Sequence, residues 1–204
     1  NGLTILDDGG EVNIKDIKIT DEPESIGTVD FIIFAVKLWD TESAANMCKP
    51  MLGSETILIP FQNGVSATET ISKIIGETHT GRGISRVSAS IEAPGIIRRV
   101  GSYGSLAFAE AGGSRSTRME TFLDICNRVG VEAEIPDDIF RTLWQKYIFL
   151  VTVSGMTTAA RQPMRSLITS SEGLSTAINS MTEVAEVGRA VGVDLPIDTV
   201  ERLV

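Results

Sequence analysis

Apolar and polar positions alternate along the first two thirds of the chain in short segments that predict strands and helices in turn. Residues 30–36 form a nearly continuous apolar run, typical of a strand that is covered on both faces, and we expect a central parallel strand there. Residues 41–52 show helical spacing, residues 56–61 form a second buried strand, and residues 67–75 an amphipathic helix. This order predicts a Rossmann-like α/β domain with a parallel sheet and right-handed crossovers.

Further strands flank this central part. Residues 3–6 predict a strand that turns over residues 7–10 and pairs with the apolar positions at 12–19. Between residues 83 and 109, apolar positions are interrupted by Pro94-Gly95, Gly101 and Gly104, so we expect strands at the far edge of the sheet. A helix over residues 117–129 and a last strand over residues 131–135 complete the pattern.

From residue 139 onward the pattern indicates helices only. They cover residues 139–160, with an interruption near Ser154-Gly155, and residues 173–191. Pro136 and the two acids after it suit the first turn of a helix, so the predicted domains are 1–136, Rossmann-like, and 137–204, helical. The chain opens without methionine and directly on a strand, so we expect that the start of the first domain is missing from it.

Composition narrows the kinds of ligand and partner. The net charge is −9, which disfavours nucleic acid and anionic membranes as partners and favours a small molecule. Cys48 and Cys126 have no disulfide or zinc spacing and His79 is the one histidine, so we expect no metal site. The apolar run at 31–36 is far too short to span a bilayer, and we expect a cytoplasmic protein.

Polar residues follow both predicted buried strands directly. Lys37 comes after the strand at 30–36, and Gln62-Asn63-Gly64 come after the strand at 56–61. Ligands bind at the carboxyl ends of strands in open parallel sheets, so both places are candidates for one binding crevice. From position alone, Lys37 is equally well explained as a solvated charge, and Asn63-Gly64 as a simple turn.

A second candidate lies in the first helix of the helical domain. Lys146 is flanked by apolar residues, which would lower the pKa of its ammonium and favour proton donation near neutral pH. The alternative, favoured by the local pattern alone, is a lysine that extends to solvent beside Trp144. Ser154 follows Lys146 by about two helical turns and is expected on roughly the same face.

Four segments in the same order make the chain resemble ketopantoate reductases. They are the strand that ends in Val36-Lys37, the Gln-Asn-Gly turn after Phe61, Ala93-Pro94-Gly95 followed by Gly101, and Asp137-Asp138 leading to Trp144-Gln145-Lys146. The resemblance implies NADPH-dependent reduction of a 2-keto acid to a 2-hydroxy acid, most directly 2-dehydropantoate to pantoate in pantothenate biosynthesis. It also implies a helical domain of a kind that often forms homodimers.

The resemblance assigns roles to particular residues. Lys37 and Asn63 would line the nicotinamide side of NADPH, and Ser90 would contact the cofactor through its main chain. Lys146 would deliver the proton to the substrate oxygen, and Asn63, Lys146 and Ser154 would bind the substrate. A cation near the ketone both stabilises the charge that develops on oxygen and supplies the proton.

Two departures from the family pattern leave alternatives open. Leu150 and Ser154 stand where the family has asparagines that hold the keto acid. This motivates two other hypotheses, a reductase of another small keto acid and a nucleotide-binding module without catalysis. The chain also lacks the glycine-rich phosphate-binding turn and the basic residue for the 2′-phosphate, so NADP rather than NAD rests on the resemblance, and we expect residues 1–204 alone to be inactive. The resemblance further implies that the end of the second domain is missing, because the family's later carboxylate and its serine partner would lie beyond Val204.

Overall fold

The structure, a computed structural model, describes residues 2–204 apart from the side chains of Ser102 and Tyr103. Its strands and helices follow one another as β1 Leu3–Asp7, β2 Gly10–Ile14, β3 Val29–Phe34, α1 Thr41–Met47, β4 Leu52–Pro60, α2 Ala67–Ile75, β5 Gly81–Ala93, β6 Ile96–Glu110, α3 Thr117–Arg128, β7 Glu132–Glu134, α4 Ile139–Ala160, α5 Met164–Leu167 and α6 Ser171–Ala190. The chain divides into two compact units. The α/β unit comprises the residues up to Gln62 with Ser66–Pro136, and the helical unit comprises Asn63–Val65 with Asp137–Val204.

Strands β3 and β4 form the parallel pair predicted from their apolar runs. Phe31 pairs with Ile57, and Phe34 pairs with Pro60 at the carboxyl ends. Within the described residues β3 has a strand partner on one side only, and the Ile33 side chain is 61% exposed. The central position predicted for β3 is therefore not found.

The long hairpin of β5 and β6 ends the sheet on one side as predicted, because β5 is the last strand in the order β2-β1-β6-β5, whereas β6 lies inside the sheet. Strand β6 pairs with β1 near its start and with β7 near its end, both in parallel, while β5 runs antiparallel along it. A parallel bridge from Leu58 to Thr80 connects β4 with the residue just before β5. The sheet is thus mixed. Pro94-Gly95 separates β5 from β6 as predicted, whereas Gly101 and Gly104 lie within β6, and Gly101 adopts φ +73° without ending the strand.

Helices cover both faces of the α/β unit. One core lies between β3, β4, α1 and α2 and contains Phe34, Ala45, Cys48, Met51, Leu58, Ala67, Ile71 and Ile75. On α3, the Phe122 ring lies 5.0 Å from Phe31 and 4.8 Å from Phe108 between centroids. Helix α1 is shorter than predicted and continues as a 3-10 turn over Lys49–Met51, because Pro50 cannot donate a backbone hydrogen bond and disfavours helical backbone at the residue before it.

The helical unit is built on α4 and α6. The helix α4 begins near the predicted place, but the two acids expected in its first turn precede it. Asp138 is the N-cap, since its carboxylate accepts a hydrogen bond from the Arg141 N–H at 2.9 Å. The interruption predicted at Ser154-Gly155 is wrong, because α4 continues to Ala160. The core of the unit contains Trp144, Ile148, Met181, Ala185 and Leu195.

The predicted fold class, a Rossmann-like α/β part followed by an all-helical part, is confirmed. Among the described residues, no helix combines the length and the apolar character needed to cross a membrane.

Candidate active site

Lys146 and Asn63 lie in direct contact within the helical unit. The Lys146 Nζ donates a hydrogen bond of 2.9 Å to the Asn63 Oδ1, although 83 residues separate them in the sequence. A hydrogen bond from a charged donor is stronger than one between neutral groups. The structure thus brings together two of the residues predicted for the site.

The turn that carries Asn63 is fixed to α4 by the residue that follows it. Gly64 has φ +103°, a conformation that favours glycine, and Val65 packs against the core around Trp144 and Ile148. Lys146 lies between these two buried residues in the sequence of α4 and is itself half-buried. Packing of Val65 therefore holds Asn63 at the Lys146 ammonium. The lowered Lys146 pKa expected from its apolar flanks stays a prediction.

Further along α4, Leu150 is half-buried and Ser154 is exposed. Because the helix is continuous, Ser154 lies roughly 12 Å along the axis from Lys146, at about 1.5 Å per residue. A substrate that contacts both side chains must therefore extend along α4. The substrate contact of Ser154 stays a prediction.

Lys37 lies in the α/β unit, on an exposed turn that joins β3 to α1. The backbone of Lys37 is extended, and a 3-10 turn over Leu38–Asp40 follows it. The Trp39 side chain in this turn is 80% exposed. The Gln62 Nε2 donates to the Val36 carbonyl at 2.8 Å, so the ends of β3 and β4 lie side by side as predicted.

Ser90 lies in the distal half of β5, opposite Arg98 of β6, and is exposed. A bulge separates this half from the part of β5 that begins beside β4. The main-chain cofactor contact of Ser90 stays a prediction. In the described part of the chain, no group of three or more histidine, cysteine, aspartate or glutamate residues is arranged to hold a metal ion.

Two features of this region were not singled out from the sequence. Gln62, quoted only as part of the turn motif, is 8% exposed, and Thr41, whose hydroxyl accepts a 3.0 Å hydrogen bond from it, is 3% exposed. A glutamine directly after a buried strand is the signal that could have identified them. Val65 gave no signal, because its contact with α4 spans about 80 residues of sequence.

The chain is similar to curated bacterial proteins over nearly its whole length. It is 25% identical over 192 residues to the uncharacterized oxidoreductase YkpB of Bacillus subtilis, covering 94% of this chain and 63% of that protein. It is 24% identical over 223 residues to the 2-dehydropantoate 2-reductase of Mesorhizobium japonicum, covering 100% of this chain and 68% of that enzyme. The chain thus spans about two thirds of the length of these relatives.

Solved structures share the fold. The 2-dehydropantoate 2-reductase of Porphyromonas gingivalis superposes with a TM-score of 0.90 at 26% identity, over 99% of this chain and 70% of that one. A D-mandelate dehydrogenase in a ternary structure with NADH and anilino(oxo)acetate superposes with a TM-score of 0.86 at 21% identity, over 98% and 65% of the two chains.

Family models match both units. The model described as ketopantoate reductase PanE/ApbA covers residues 1–113, and the model of the C-terminal part of the same family covers residues 138–204. The resemblance predicted from the four segments is confirmed by these matches. The chain belongs to the ketopantoate reductase PanE/ApbA family.

Proposed function

We propose that the protein that contains this chain reduces a 2-keto acid to the 2-hydroxy acid with a nicotinamide dinucleotide. The observation that carries the proposal is the hydrogen bond of 2.9 Å between the Lys146 ammonium and the Asn63 amide oxygen. A positioned ammonium is a proton donor of the type that ketone reduction requires. Family membership supports the same reaction class.

In the proposed step, Lys146 acts as the general acid. As a hydride reaches the keto carbon, the carbonyl π pair moves to oxygen, and the Lys146 Nζ gives its proton to that oxygen. The products are the 2-hydroxy acid and a neutral lysine, which takes a proton back from solvent. Asn63 orients the ammonium, because its amide oxygen accepts one of the three N–H groups.

The residues present fit a nicotinamide cofactor, which supplies the hydride when bound. Lys37 is exposed at the carboxyl end of a parallel strand, the end at which open α/β sheets bind dinucleotides. Lys37, Asn63 and the main chain of Ser90 are the proposed contacts. NADPH is the proposed cofactor and NADH the alternative, since D-mandelate dehydrogenase, a protein of the same fold, has a structure with NADH.

The proposed substrate is 2-dehydropantoate, because the relatives from Mesorhizobium japonicum and Porphyromonas gingivalis are named as 2-dehydropantoate 2-reductases. This substrate would place the protein in pantothenate biosynthesis. Leu150 favours a second candidate, another small 2-keto acid, because an apolar side chain one turn after Lys146 suits a less polar substrate. Ser154, which adds only one hydroxyl, is the proposed further substrate contact. The third hypothesis is a module that binds the nucleotide without turnover.

The test is steady-state turnover of the complete gene product with reduced cofactor and a panel of 2-keto acids that includes 2-dehydropantoate. Lys146→Ala is expected to lower kcat by about two to four orders of magnitude. Lys49→Ala is the matched control, because Lys49 also donates to an asparagine, Asn46, at 2.7 Å but lies on the surface of the α/β unit. Undiminished turnover by Lys146→Ala would disprove the mechanism, and cofactor binding without turnover by the unaltered protein would support the third hypothesis.

A homodimer and a cytoplasmic location belong to the same proposal. The dimer is supported by a structure of the same fold, a dimeric ketopantoate reductase from Staphylococcus aureus. The cytoplasmic location is supported by the two free cysteines, Cys48 and Cys126, which suit a reducing compartment. Light scattering of the purified complete gene product at several concentrations measures its mass, and a monomer at every concentration would contradict the dimer.

A further inference from the structure

Gln62 is a buried side chain that binds both ends of the Lys37 turn. Its Nε2 donates to the Val36 carbonyl at 2.8 Å and to the Thr41 hydroxyl at 3.0 Å. Val36 directly precedes Lys37, and Thr41 is the first residue of α1. One amide group therefore connects the beginning and the end of the four-residue turn 37–40, and we call this arrangement the Gln62 clamp.

The other hydrogen bonds of this turn are local. The Asp40 N–H donates to the Lys37 carbonyl at 3.0 Å, the Thr41 N–H donates to the Leu38 carbonyl, and the Ser43 hydroxyl donates to the Asp40 carbonyl at 3.0 Å. Leu38 is 44% exposed and Trp39 is 80% exposed, so neither anchors the turn in a core. The clamp partners, in contrast, are buried: Gln62 is 8% exposed and Thr41 is 3% exposed. The Gln62 side chain therefore adds buried contacts that join the Lys37 turn to the residue after β4.

The orientation of the Gln62 amide follows from chemistry. A backbone carbonyl can only accept, so the amide nitrogen and not the amide oxygen must point at Val36. The Gln62 Oε1 is buried, and within the described part of the chain it has no hydrogen-bond partner. A buried acceptor without a partner destabilises the fold, so the side chain adopts an orientation that is unfavourable for its own oxygen and favourable for the turn.

We propose that Gln62 is a positioning residue that holds Lys37 in place for cofactor binding. The inference rests on the proposed function only for the role of Lys37, since the clamp itself is a property of the α/β unit. Gln62 acts through Lys37 and has no contact with reacting atoms. Loss of the clamp should therefore matter only while Lys37 is present.

The first experiment measures the clamp without any assay of activity. Amide hydrogen exchange of the peptide that contains residues 37–41 is followed in the complete gene product and in three variants. We expect exchange of the Asp40 amide to become about tenfold faster in Gln62→Leu, to be moderately faster in Thr41→Val, and to be unchanged in Thr41→Ser, which keeps the hydroxyl. If Gln62→Leu does not fold, the comparison of Thr41→Val with Thr41→Ser tests the clamp. Unchanged exchange in Thr41→Val would then overturn the clamp.

The second experiment is a double-mutant cycle with Lys37→Ala, read as the Kd of NADPH and as kcat/KM. When Lys37 is present, we expect Gln62→Leu to raise the Kd of NADPH and to lower kcat/KM, each by about tenfold. In the Lys37→Ala background, we expect each change to be less than about twofold. A purely structural role would give the same loss in both backgrounds, and that result would overturn the inference.

The two proposals fail in different ways. If the unaltered protein neither binds the cofactor nor turns over any keto acid, the proposed function is wrong, while the exchange experiment still decides whether Gln62 holds the turn. If the protein is active and the losses are additive, the function stands and the positioning role is wrong.

Discussion

The two lysines proposed for the reaction are supported in opposite ways. Lys146 lies on a helix of 22 residues whose buried side packs into the core of the helical unit. Lys37 lies on an exposed turn of the α/β unit that one glutamine side chain holds at both ends. The first position is determined by many apolar contacts, and the second by the two hydrogen bonds from Gln62 together with the local hydrogen bonds of the turn.

This difference agrees with the role proposed for each residue. A proton donor has to lie at a set distance from the reacting oxygen, which a packed helix provides because its core resists displacement. A residue that contacts a cofactor has to allow entry and release, and an exposed turn allows both. The predictions below weaken one kind of support at a time.

The largest effect is expected in the α/β unit from Gly83→Val. A Cβ at this position of β5 would lie 2.7 Å from the Pro60 carbonyl oxygen and 3.0 Å from the Phe61 ring, at the end of β4 that leads to Gln62. Because a backbone atom cannot move aside, we expect a loss of about 3 kcal/mol in the free energy of unfolding. Denaturant unfolding measures it, with Gly104→Ala as control, since a Cβ there would come no closer than 4.0 Å to its neighbours.

In the helical unit, Gly188→Ala is expected to cost less, about 2 kcal/mol. The added Cβ would lie 2.6 Å from the Leu195 Cδ1 and 2.8 Å from the Trp144 ring, and side chains can shift partly. Gly155→Ala in α4 is the opposite control, because its Cβ would meet nothing within 4 Å and should stabilise the helix by about 0.5–1 kcal/mol. Equal stability of the two variants would contradict the packing described for α4 and α6.

Asn63→Ala tests whether Asn63 orients Lys146, the proposed proton donor. Without the amide oxygen that accepts from Lys146, we expect kcat/KM of the complete gene product to fall about tenfold, with no comparable loss of stability. Asn46→Ala removes the same kind of lysine partner at the surface of α1 and should leave kcat/KM unchanged. Similar rates for both variants would mean that Asn63 does not orient Lys146.

The smallest effect concerns Glu110, whose carboxylate binds Arg118 at 2.6 and 2.8 Å and Ser116 at 2.5 Å. Burial raises the pKa of Glu110, but the hydrogen bonds from Arg118 and Ser116 and the Arg118 charge outweigh it, so the pKa lies below its ordinary value of 4.5. Because folding lowers the carboxyl pKa, the charged Glu110 stabilises the fold at pH values above 4.5. This stability is lost as the pH falls through the folded-state pKa.

We therefore expect Glu110→Gln to lower the free energy of unfolding by about 1 kcal/mol at neutral pH. The difference from the unaltered protein should shrink as the pH falls through the folded-state pKa, which lies below 4.5, because the native carboxylate is then also protonated. Glu42→Gln on the exposed face of α1 is the control. A difference that stays constant with pH would show that the Glu110 charge does not contribute.

Periodicity in the sequence was enough to predict the order of most elements, because local patterns determine them. It failed where the structure depends on pairing between strands that are distant in the sequence. The glycines in β6 indicated strand ends, yet β1, β5 and β7 all pair with β6 and keep it continuous. Gly155 indicated a break, yet α4 continues, since one glycine costs a helix only about 1 kcal/mol.

The candidate site could likewise be predicted only in part from the sequence. Lys37, Asn63 and Lys146 were identified from strand ends and from the resemblance, because the residue types themselves carry the chemistry. Nothing in the spacing predicted that Gln62 binds Val36 and Thr41, since that arrangement depends on how β3 and β4 align. The supporting contacts had to come from the structure.

The exposed Trp39 in the Lys37 turn allows the turn to be followed by tryptophan fluorescence. The chain has two tryptophans, and the other one, Trp144, is 9% exposed in the core of the helical unit. Trp39 should emit at long wavelength and be quenched by acrylamide, while Trp144 should emit at short wavelength and resist the quencher. One emission spectrum can therefore follow the turn and the helical core separately, without any added label.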